Sequence, residues 1–517
     1  MLLRGVDEGM VIPKPQAMQR LDGVYTVPPQ AGLRLDEAFA ETREGILSLL
    51  PMFVEGGGVL RLRLDASLDE ARYRLVCGAE GIVITAGGPL GALYGAATLR
   101  QLIEDGALPY CEIEDAPHFR WRGQHFDMCR HFFPVDTVKT IVDVLALYKM
   151  NRLHLHLSDD QGFRIESERF PRLNSVGSWR KSSAVKRGQG EVQDGIKHGG
   201  FYTKAEISEL VAYAKARGIE IVPEIDLPGH TNAILAAYPE LACFERDTEV
   251  ITRYGIRDFS AHILCAGSEN VYEFLFALID EIAALFPFPY FHIGGDEATK
   301  AEWKRCPRCQ AKIKALGLKD ERALQGWFLR RLADHVQAIG KRAIIWNDGY
   351  TPLLSPDVIC QHWSPPAVEG ERLSEAHAAA GGELIMSAFR RLYFDHPYAM
   401  TPLKKAYSYQ PRLKRLPAGA EDRILGVESC LWTEWIEDEE KIFFNLLPRL
   451  AATATLGWCD PAGKDYEDFL ERLPRQYALY EELGLPYARH KEKPGSFFER
   501  LRLTLRFYRK DAYVELR

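Results

Sequence analysis

The sequence lacks any stretch of about 18 consecutive apolar residues, the length that a helix needs to cross a bilayer. It also lacks an excess of positive charge: its formal net charge is −7, so it offers no basic surface for nucleic acid. The N-terminus has an early acidic pair and neither the apolar segment nor the cleavage site of a signal peptide. We therefore expect a cytoplasmic protein with no membrane insertion and no nucleic-acid partner.

Cysteine is sparse as well, with ten cysteines scattered over 517 residues. Several lie inside predicted strands, which is typical of reduced, buried thiols rather than of a disulfide scaffold. Cys306 and Cys309 have the spacing of half a zinc ribbon, but no second pair with that spacing accompanies them. We interpret them as a structural turn and predict neither a metal site nor a cofactor.

From about residue 118 the chain alternates short apolar runs with amphipathic helices, a pattern typical of βα units around a parallel sheet. Eight such runs predict an α/β protein whose catalytic domain, residues 118–460, is a (β/α)8 TIM barrel. The eight runs end near Arg130, Asp160, Asp226, Glu297, Asp348, Trp363, Phe389 and Trp432.

Two further regions flank the predicted barrel. Residues 1–117 combine alternating segments with one segment of helical spacing, which predicts a small α+β accessory domain. Residues 461–517 are predicted to be helical and to pack on the barrel or form a subunit contact. Within the barrel, residues 171–200 show no periodicity, and they fit either a lid or a mobile insertion.

Residues 290–299 hold the strongest candidates for chemistry. An aromatic and β-branched run stops at two glycines and two carboxylates, Asp296 and Glu297, which is typical of a buried strand that ends in a sharp turn. Reactive groups of parallel α/β folds collect at such strand ends. The pair is therefore the primary catalytic candidate. The alternative is that an acidic dipeptide simply begins a helix, at the positive end of its dipole.

His154 and His156 share one face of the second predicted strand and leave a different function open. A His-x-His pair begins the metal site of some zinc hydrolases, which need further nitrogen or oxygen ligands and an activated water. Alternatively, both are core histidines bonded to polar groups of the barrel. A catalytically silent carbohydrate-binding protein is a third reading, and it predicts glycan binding without turnover.

Tryptophans end three of the predicted runs, at Trp346, Trp363 and Trp432. One such residue is typical of core packing, whereas three at equivalent positions on one rim indicate an aromatic box. Sugar C–H faces stack on aromatic rings, and a tight apolar pocket suits an acetamido methyl group. This pattern predicts a carbohydrate substrate.

The string His-Ile-Gly-Gly-Asp-Glu at 292–297, with Pro-Gly-His-Thr at 228–231, resembles family 20 glycoside hydrolases, the β-N-acetylhexosaminidases. The resemblance covers about residues 20–450, including the helix at 91–102. It implies an exo-acting, retaining enzyme that removes terminal β-linked GlcNAc or GalNAc from glycoconjugates or oligosaccharides. In such enzymes the 2-acetamido group of the substrate replaces the protein nucleophile.

The resemblance also implies roles for individual residues. Glu297 matches the general acid/base, Asp296 the carboxylate that holds the acetamido N–H, and Tyr393 the hydroxyl donor to the acetamido oxygen. The implied substrate-binding residues are Arg130, Asp159, His230, Trp346, Trp363, Asp395, Trp432 and Glu434.

Two expectations about charge accompany these roles. Arg130 would bind sugar hydroxyls by resemblance, although an arginine at a strand end also fits a structural ion pair. Adjacent carboxylates oppose simultaneous ionisation, so we expect a raised pKa for Glu297 and a charged Asp296.

Overall fold

The computed structural model describes residues 10–185, 192–254, 262–363 and 370–489. Within these ranges a seven-stranded sheet precedes a closed barrel of eight strands. None of the helices in the described ranges combines the length and apolarity that a membrane crossing requires.

The N-terminal sheet is mixed, with strand order β1-β7-β5-β6-β4-β2-β3. Its strands are β1 (Ala17–Thr26), β2 (Ala31–Leu35), β3 (Phe53–Glu55), β4 (Leu60–Leu64), β5 (Tyr73–Gly78), β6 (Gly81–Ala86) and β7 (Ala107–Asp115). Two helices, α1 (Arg43–Leu49) and α2 (Pro89–Leu102), accompany it. Burial alternates along β4, β5 and β6, so one face of the sheet covers an apolar core with α2. The predicted α+β character is confirmed.

The barrel strands follow one another in chain order, and each pairs in parallel with the next until the eighth closes on the first. The predicted TIM barrel is therefore confirmed. The eight strands are Trp121–Asp127, Arg152–His156, Glu220–Glu224, Tyr290–His292, Arg342–Trp346, Ile359–His362, Leu384–Met386 and Ile424–Leu431.

Amphipathic helices surround the barrel and bury their apolar faces against the strands. Lys204–Ala216 begins with a capping box between Thr203 and Glu206 and is followed by Gly218 at φ +70°. The α-helices from the barrel onward are Val135–Leu147, Lys204–Ala216, Asn232–Ala237, Glu269–Ala283, Ala301–Arg305, Pro307–Leu316, Glu321–Ala338, Gly370–Ala379, Phe389–Leu392, Leu403–Tyr407, Glu439–Leu446, Arg449–Trp458 and Tyr466–Glu482.

The last of these helices, Tyr466–Glu482, lies against both other regions. Arg475 Nε donates to Gln101 O at 3.0 Å in α2, and Gln476 accepts from Tyr148 Oη at 3.1 Å at the end of a barrel helix. The predicted helix over 497–507 lies outside the described residues. The division at residues 117 and 460 stays a prediction.

Two connections between barrel elements bear on expectations from the sequence. The connection 171–200 is anchored where it is described, because the nearly buried Arg180 donates to Arg130 O at 2.5 Å. Residues 186–191 lie outside the described residues, so the lid stays a prediction. No second pair with the spacing of Cys306 and Cys309 exists in the sequence, but the fold places Cys243 and Cys265 beside them, although neither is near them in sequence.

Candidate active site

The fourth barrel strand ends in a turn that only glycine permits. Gly294 has φ +64° and Gly295 φ +109°, and a Cβ on Gly294 would lie 1.7 Å from Asp226 Oδ1. The turn brings Asp296 and Glu297 to the rim, where Glu297 N donates to Asp348 Oδ2 at 2.9 Å. Glu297 itself has φ +44°, a strained conformation typical of functional sites. The helix-start alternative is wrong, because the next helix begins only at Ala301.

His230 lies between the acidic groups of two neighbouring loops. Its Nε2 is 3.5 Å from Glu297 Oε2 and 3.7 Å from Asp296 Oδ2, while its Nδ1 is 3.3 Å from Asp159 Oδ1. Burial lowers the pKa of His230, but the carboxylates of Asp159 and Asp226 outweigh it and hold that pKa well above the ordinary value. A positive imidazolium therefore faces Asp296 and Glu297 at neutral pH.

The three rim tryptophans and Tyr393 form one aromatic wall. Trp346 and Trp432 have ring centroids 6.0 Å apart, and Trp363 stacks on Tyr393 at 6.3 Å. The wall adjoins the carboxylate pair, because Trp363 Nε1 donates at 2.9 Å to Asp348 Oδ1, whose other oxygen accepts from Glu297 N. The structure thus brings the predicted box and the predicted acid together.

Arg130 packs against Trp432 of this wall. Its guanidinium is 4.8 Å from the ring of Trp432, and its Nη2 is 2.8 Å from Asp159 Oδ2. Burial lowers the pKa of Arg130, but the carboxylates of Asp159, Asp127 and Glu434 together raise it well above the ordinary value. Arg130 therefore forms the expected structural ion pair, with Asp159. Glu434 lies within electrostatic range of the same guanidinium.

Tyr393 and Asp395 follow the short helix Phe389–Leu392. Tyr393 pairs with Cys430 of the eighth strand and is only 4% exposed. Phe394 N donates to Cys430 O at 2.8 Å, which fixes the backbone between Tyr393 and Asp395. Burial raises the pKa of the Cys430 thiol most, and the carboxylates of Glu428 and Asp395 raise it further. Both predicted residues therefore belong to this rim.

Comparison with known proteins agrees with this geometry. The family model described as "Glycosyl hydrolase family 20, catalytic domain" matches residues 119–461, and "Glycosyl hydrolase family 20, domain 2" matches residues 9–116. The chain belongs to glycosyl hydrolase family 20. It is a glycoside hydrolase of the β-hexosaminidase type.

Individual relatives of this family 20 chain are named accordingly. It is 36% identical over 482 residues to a beta-hexosaminidase of Porphyromonas gingivalis, with 87% of this chain and 60% of the relative covered. It is 33% identical over 507 residues to a beta-N-acetylhexosaminidase of Cellulomonas fimi, with 92% and 95% covered. The chain thus spans less than two thirds of the first relative and nearly all of the second.

Solved structures of the family resemble it closely. An exo beta-N-acetylglucosaminidase of Vibrio harveyi in complex with N-acetylglucosamine superposes with a TM-score of 0.83 at 31% identity, over 95% of this chain and 80% of that one. A family 20 beta-N-acetylhexosaminidase of Streptomyces coelicolor superposes with a TM-score of 0.81 at 31% identity, over 94% and 98%.

One charge expectation for this family 20 site is wrong. Burial and the neighbouring Asp226 carboxylate raise the pKa of Asp296 well above its ordinary value, and the pKa of Asp226 is raised as well, first by burial. The expectation of a charged Asp296 considered only its neighbour in sequence. The loop after the third strand supplies Asp226, whose carboxylate raises the pKa of Asp296 more than that of Glu297 does.

Glu224 is the principal residue that sequence reasoning missed. It accepts from Trp346 Nε1 at 2.7 Å, is hydrogen-bonded to His156 Nδ1, and lies 3.2 Å from His154 Nε2. It thereby supports the aromatic wall from inside the barrel. Its one signal in the sequence is a carboxylate that directly follows the apolar residues Ile221, Val222 and Pro223 of the third strand.

The histidine pair of the metal alternative is engaged with carboxylates. His156 Nε2 is hydrogen-bonded to Asp159 Oδ2 at 2.8 Å, and His154 Nδ1 to Glu428 Oε1 at 2.9 Å. Burial lowers both pKa values, but the carboxylates outweigh it, raising the pKa of His154 to about 9 and that of His156 to about 10. Protonated rings have no lone pair to offer a metal, so this geometry favours core histidines.

Proposed function

We propose that the protein is an exo-acting, retaining β-N-acetylhexosaminidase that removes terminal β-linked GlcNAc or GalNAc by substrate-assisted catalysis. The observation that carries this proposal is the shared Asp348 carboxylate, which joins Glu297 to the tryptophan wall on opposite oxygens at 2.9 Å each. A proton donor held against an apolar, indole-lined wall suits a sugar that bears an N-acetyl group.

In the proposed first step, Glu297 protonates the glycosidic oxygen while the bond between that oxygen and the anomeric carbon breaks. The acetamido oxygen of the substrate attacks that carbon and forms an oxazolinium, oriented by the Tyr393 hydroxyl. In the second step Glu297 accepts a proton from water, which opens the oxazolinium with overall retention. Asp296 accepts a hydrogen bond from the acetamido N–H and stabilises the positive charge.

The raised pKa of Asp296 fits this scheme once the substrate is present. In the free site, burial and the Asp226 carboxylate hold the pKa of Asp296 well above its ordinary value, although His230 lies 3.7 Å away. A bound acetamido N–H and a developing positive charge both favour ionised Asp296. The transition state therefore gains more than the ground state from this carboxylate, which is what catalysis requires.

The test compares Asp296→Asn and Glu297→Gln on 4-nitrophenyl glycosides of GlcNAc, GalNAc and glucose. We expect each variant to lose on the order of 100-fold or more in kcat. Glu297→Gln should be impaired most on poor leaving groups, whereas Asp296→Asn should be impaired on activated ones too. Glu273→Gln, on the exposed face of the helix Glu269–Ala283, is the matched control.

Three outcomes would contradict the proposal. Normal turnover of the activated GlcNAc glycoside by Asp296→Asn would remove substrate assistance. Comparable rates on the glucoside and the GlcNAc glycoside would show that no acetamido group is needed. Glycan binding without turnover by the unmodified protein would favour the carbohydrate-binding alternative.

A cytoplasmic location stays a prediction. The ten cysteines form no disulfide, and nine of them are buried, which suits a reducing compartment. Fractionation of the native host, with activity measured in each fraction, tests it.

A further inference from the structure

Four cysteines meet away from the active site. Cys306 joins the helices Ala301–Arg305 and Pro307–Leu316, and Cys309 lies in the first turn of the second helix. Cys243 belongs to the connection after the third strand, and Cys265 to the segment before the helix Glu269–Ala283. All four are buried, and their four sulfur atoms lie within 4.8 Å of one another.

The sulfur separations match a tetrahedron around one metal ion. Cys243 Sγ is 3.7 Å from Cys309 Sγ, and Cys265 Sγ is 3.7 Å from Cys306 Sγ and 3.8 Å from Cys309 Sγ. With zinc–sulfur bonds of about 2.3 Å, the edge of a regular ZnS4 tetrahedron is about 3.8 Å. Disulfide sulfurs lie about 2.05 Å apart, so these cysteines are not paired with one another.

The backbone around the sulfurs is built for this close approach. A Cβ on Gly267 would lie 2.3 Å from Arg308 C and 2.4 Å from Cys309 N, so only glycine lets the two segments touch. Cys306 caps the helix Pro307–Leu316, whose positive end therefore faces the sulfurs.

Arg308 supplies a positive charge at the same place. Its Nη2 donates to Ala242 O at 2.7 Å and to Cys243 O at 3.1 Å, so the guanidinium bridges the two loops beside the cluster. Four thiolates around a divalent cation carry a net charge of about −2, which a buried site tolerates better with such a partner.

We propose that Cys243, Cys265, Cys306 and Cys309 bind one zinc ion as a structural tetrathiolate site. Four protein ligands leave no open position for water, so the ion takes no part in glycoside hydrolysis. Soft thiolate ligands in a tetrahedron select zinc over magnesium or calcium. The proposal does not depend on the proposed function.

The ion would hold together the two loops that carry the catalytic groups. A Cβ on Gly229, next to His230, would lie 3.1 Å from Asp296 O, so the loops already touch at the rim. Further out, Trp303 Nε1 donates to Leu264 O at 2.9 Å. The zinc site fastens the outer ends of the same two loops and thereby stabilises the position of His230 against Asp296.

Metal analysis of the full-length protein, purified without added metal or a metal-affinity tag, tests the proposal. We expect one zinc per chain, and X-ray absorption of that sample should show four sulfur neighbours at about 2.3 Å. Stoichiometric iron would overturn the choice of zinc. Absence of metal, with four titratable thiols or two disulfides in its place, would overturn the site.

Variants locate the ion in the chain. Cys306→Ser and Cys309→Ser should lose the zinc, whereas Cys459→Ser, a partly exposed cysteine elsewhere, should keep it. Zinc retained in both variants would overturn the assignment. Since these variants can fail to fold, the X-ray absorption of the unmodified protein decides independently.

Chelation separates a structural role from a catalytic one. Zinc-depleted protein should unfold at a temperature several degrees lower yet still turn over substrate while folded. Immediate loss of turnover with unchanged thermal unfolding would contradict the structural role. Failure of the proposed function would leave zinc content unaffected, so the two failures are distinguishable.

Discussion

Buried carboxylates of the N-terminal sheet and of the barrel rim differ in how many hydrogen bonds they accept. In the N-terminal region, buried Asp115 accepts hydrogen bonds from Tyr73 at 2.7 Å, Trp458 at 2.9 Å and Lys149 at 2.9 Å, which joins the sheet to the barrel. At the barrel rim, buried Asp296 Oδ1 has no hydrogen-bond partner among the described residues. A saturated carboxylate holds structure together, whereas an unsaturated one is available to a ligand.

The largest expected effect tests the interior of the barrel. Glu224→Gln leaves His154 and His156 without their shared anion, so we expect the free energy of unfolding to fall by about 3–5 kcal/mol. Denaturant unfolding measures it. Glu220→Gln, on the same strand but partly exposed and paired with Arg152, is the control and should cost under about 1 kcal/mol. Equal losses of unfolding free energy in the two variants would mean that the buried network contributes no more than the partly exposed ion pair.

Asp115→Asn tests the junction. Burial lowers the pKa of Lys149, so its neutral form is accessible and limits the cost to about 2–3 kcal/mol. Unlike Glu224→Gln, this change should leave kcat per folded molecule unchanged, which an activity assay well below the unfolding temperature measures. A large fall in kcat would show that the junction also positions the active site.

The Asp115–Lys149 junction and the barrel interior should respond to pH with opposite signs. The pKa values of His154 and His156, raised to about 9 and about 10, give stabilisation that is complete below pH 6.5 and lost as pH rises toward 10. Lys149, with a pKa lowered below its ordinary 10.5, gains stability as pH rises through its folded value. The histidines should make the larger contribution to the change in the free energy of unfolding. We expect about 1–2 kcal/mol, because both histidines depend on the same Glu224 carboxylate and their separate shifts do not add.

Thermal unfolding measured from pH 6 to 10 checks this sign. The unmodified protein should lose stability over that range, and Glu224→Gln should lose less, because His154 and His156 lose the carboxylate that raises their pKa values most. A decline of equal size in both proteins would contradict the assignment of the effect to the Glu224 network.

Much of the site could be predicted because its residues stand in short, constrained strings. The two glycines before Asp296 mark a turn at the end of a strand, and this turn brings the carboxylates that follow it to the rim. Trp346 and Trp363 mark equivalent strand ends. Glu224 could not be predicted in the same way. Its role depends on four partners from other strands, His154, His156, His292 and Trp346. Sequence separation carries no information about which side chains face one another inside a closed barrel.

The sequence by itself determined the eight-fold strand pattern, the turn at Asp296 and Glu297, and the tryptophans at the rim, because periodicity and turn chemistry act over a few residues. Tertiary structure alone decided that Asp226 lies near enough to raise the pKa of Asp296 and that Cys243 and Cys265 meet Cys306 and Cys309. Both outcomes depend on distances of a few ångströms between loops far apart in the chain, and only the packing of the barrel sets those distances.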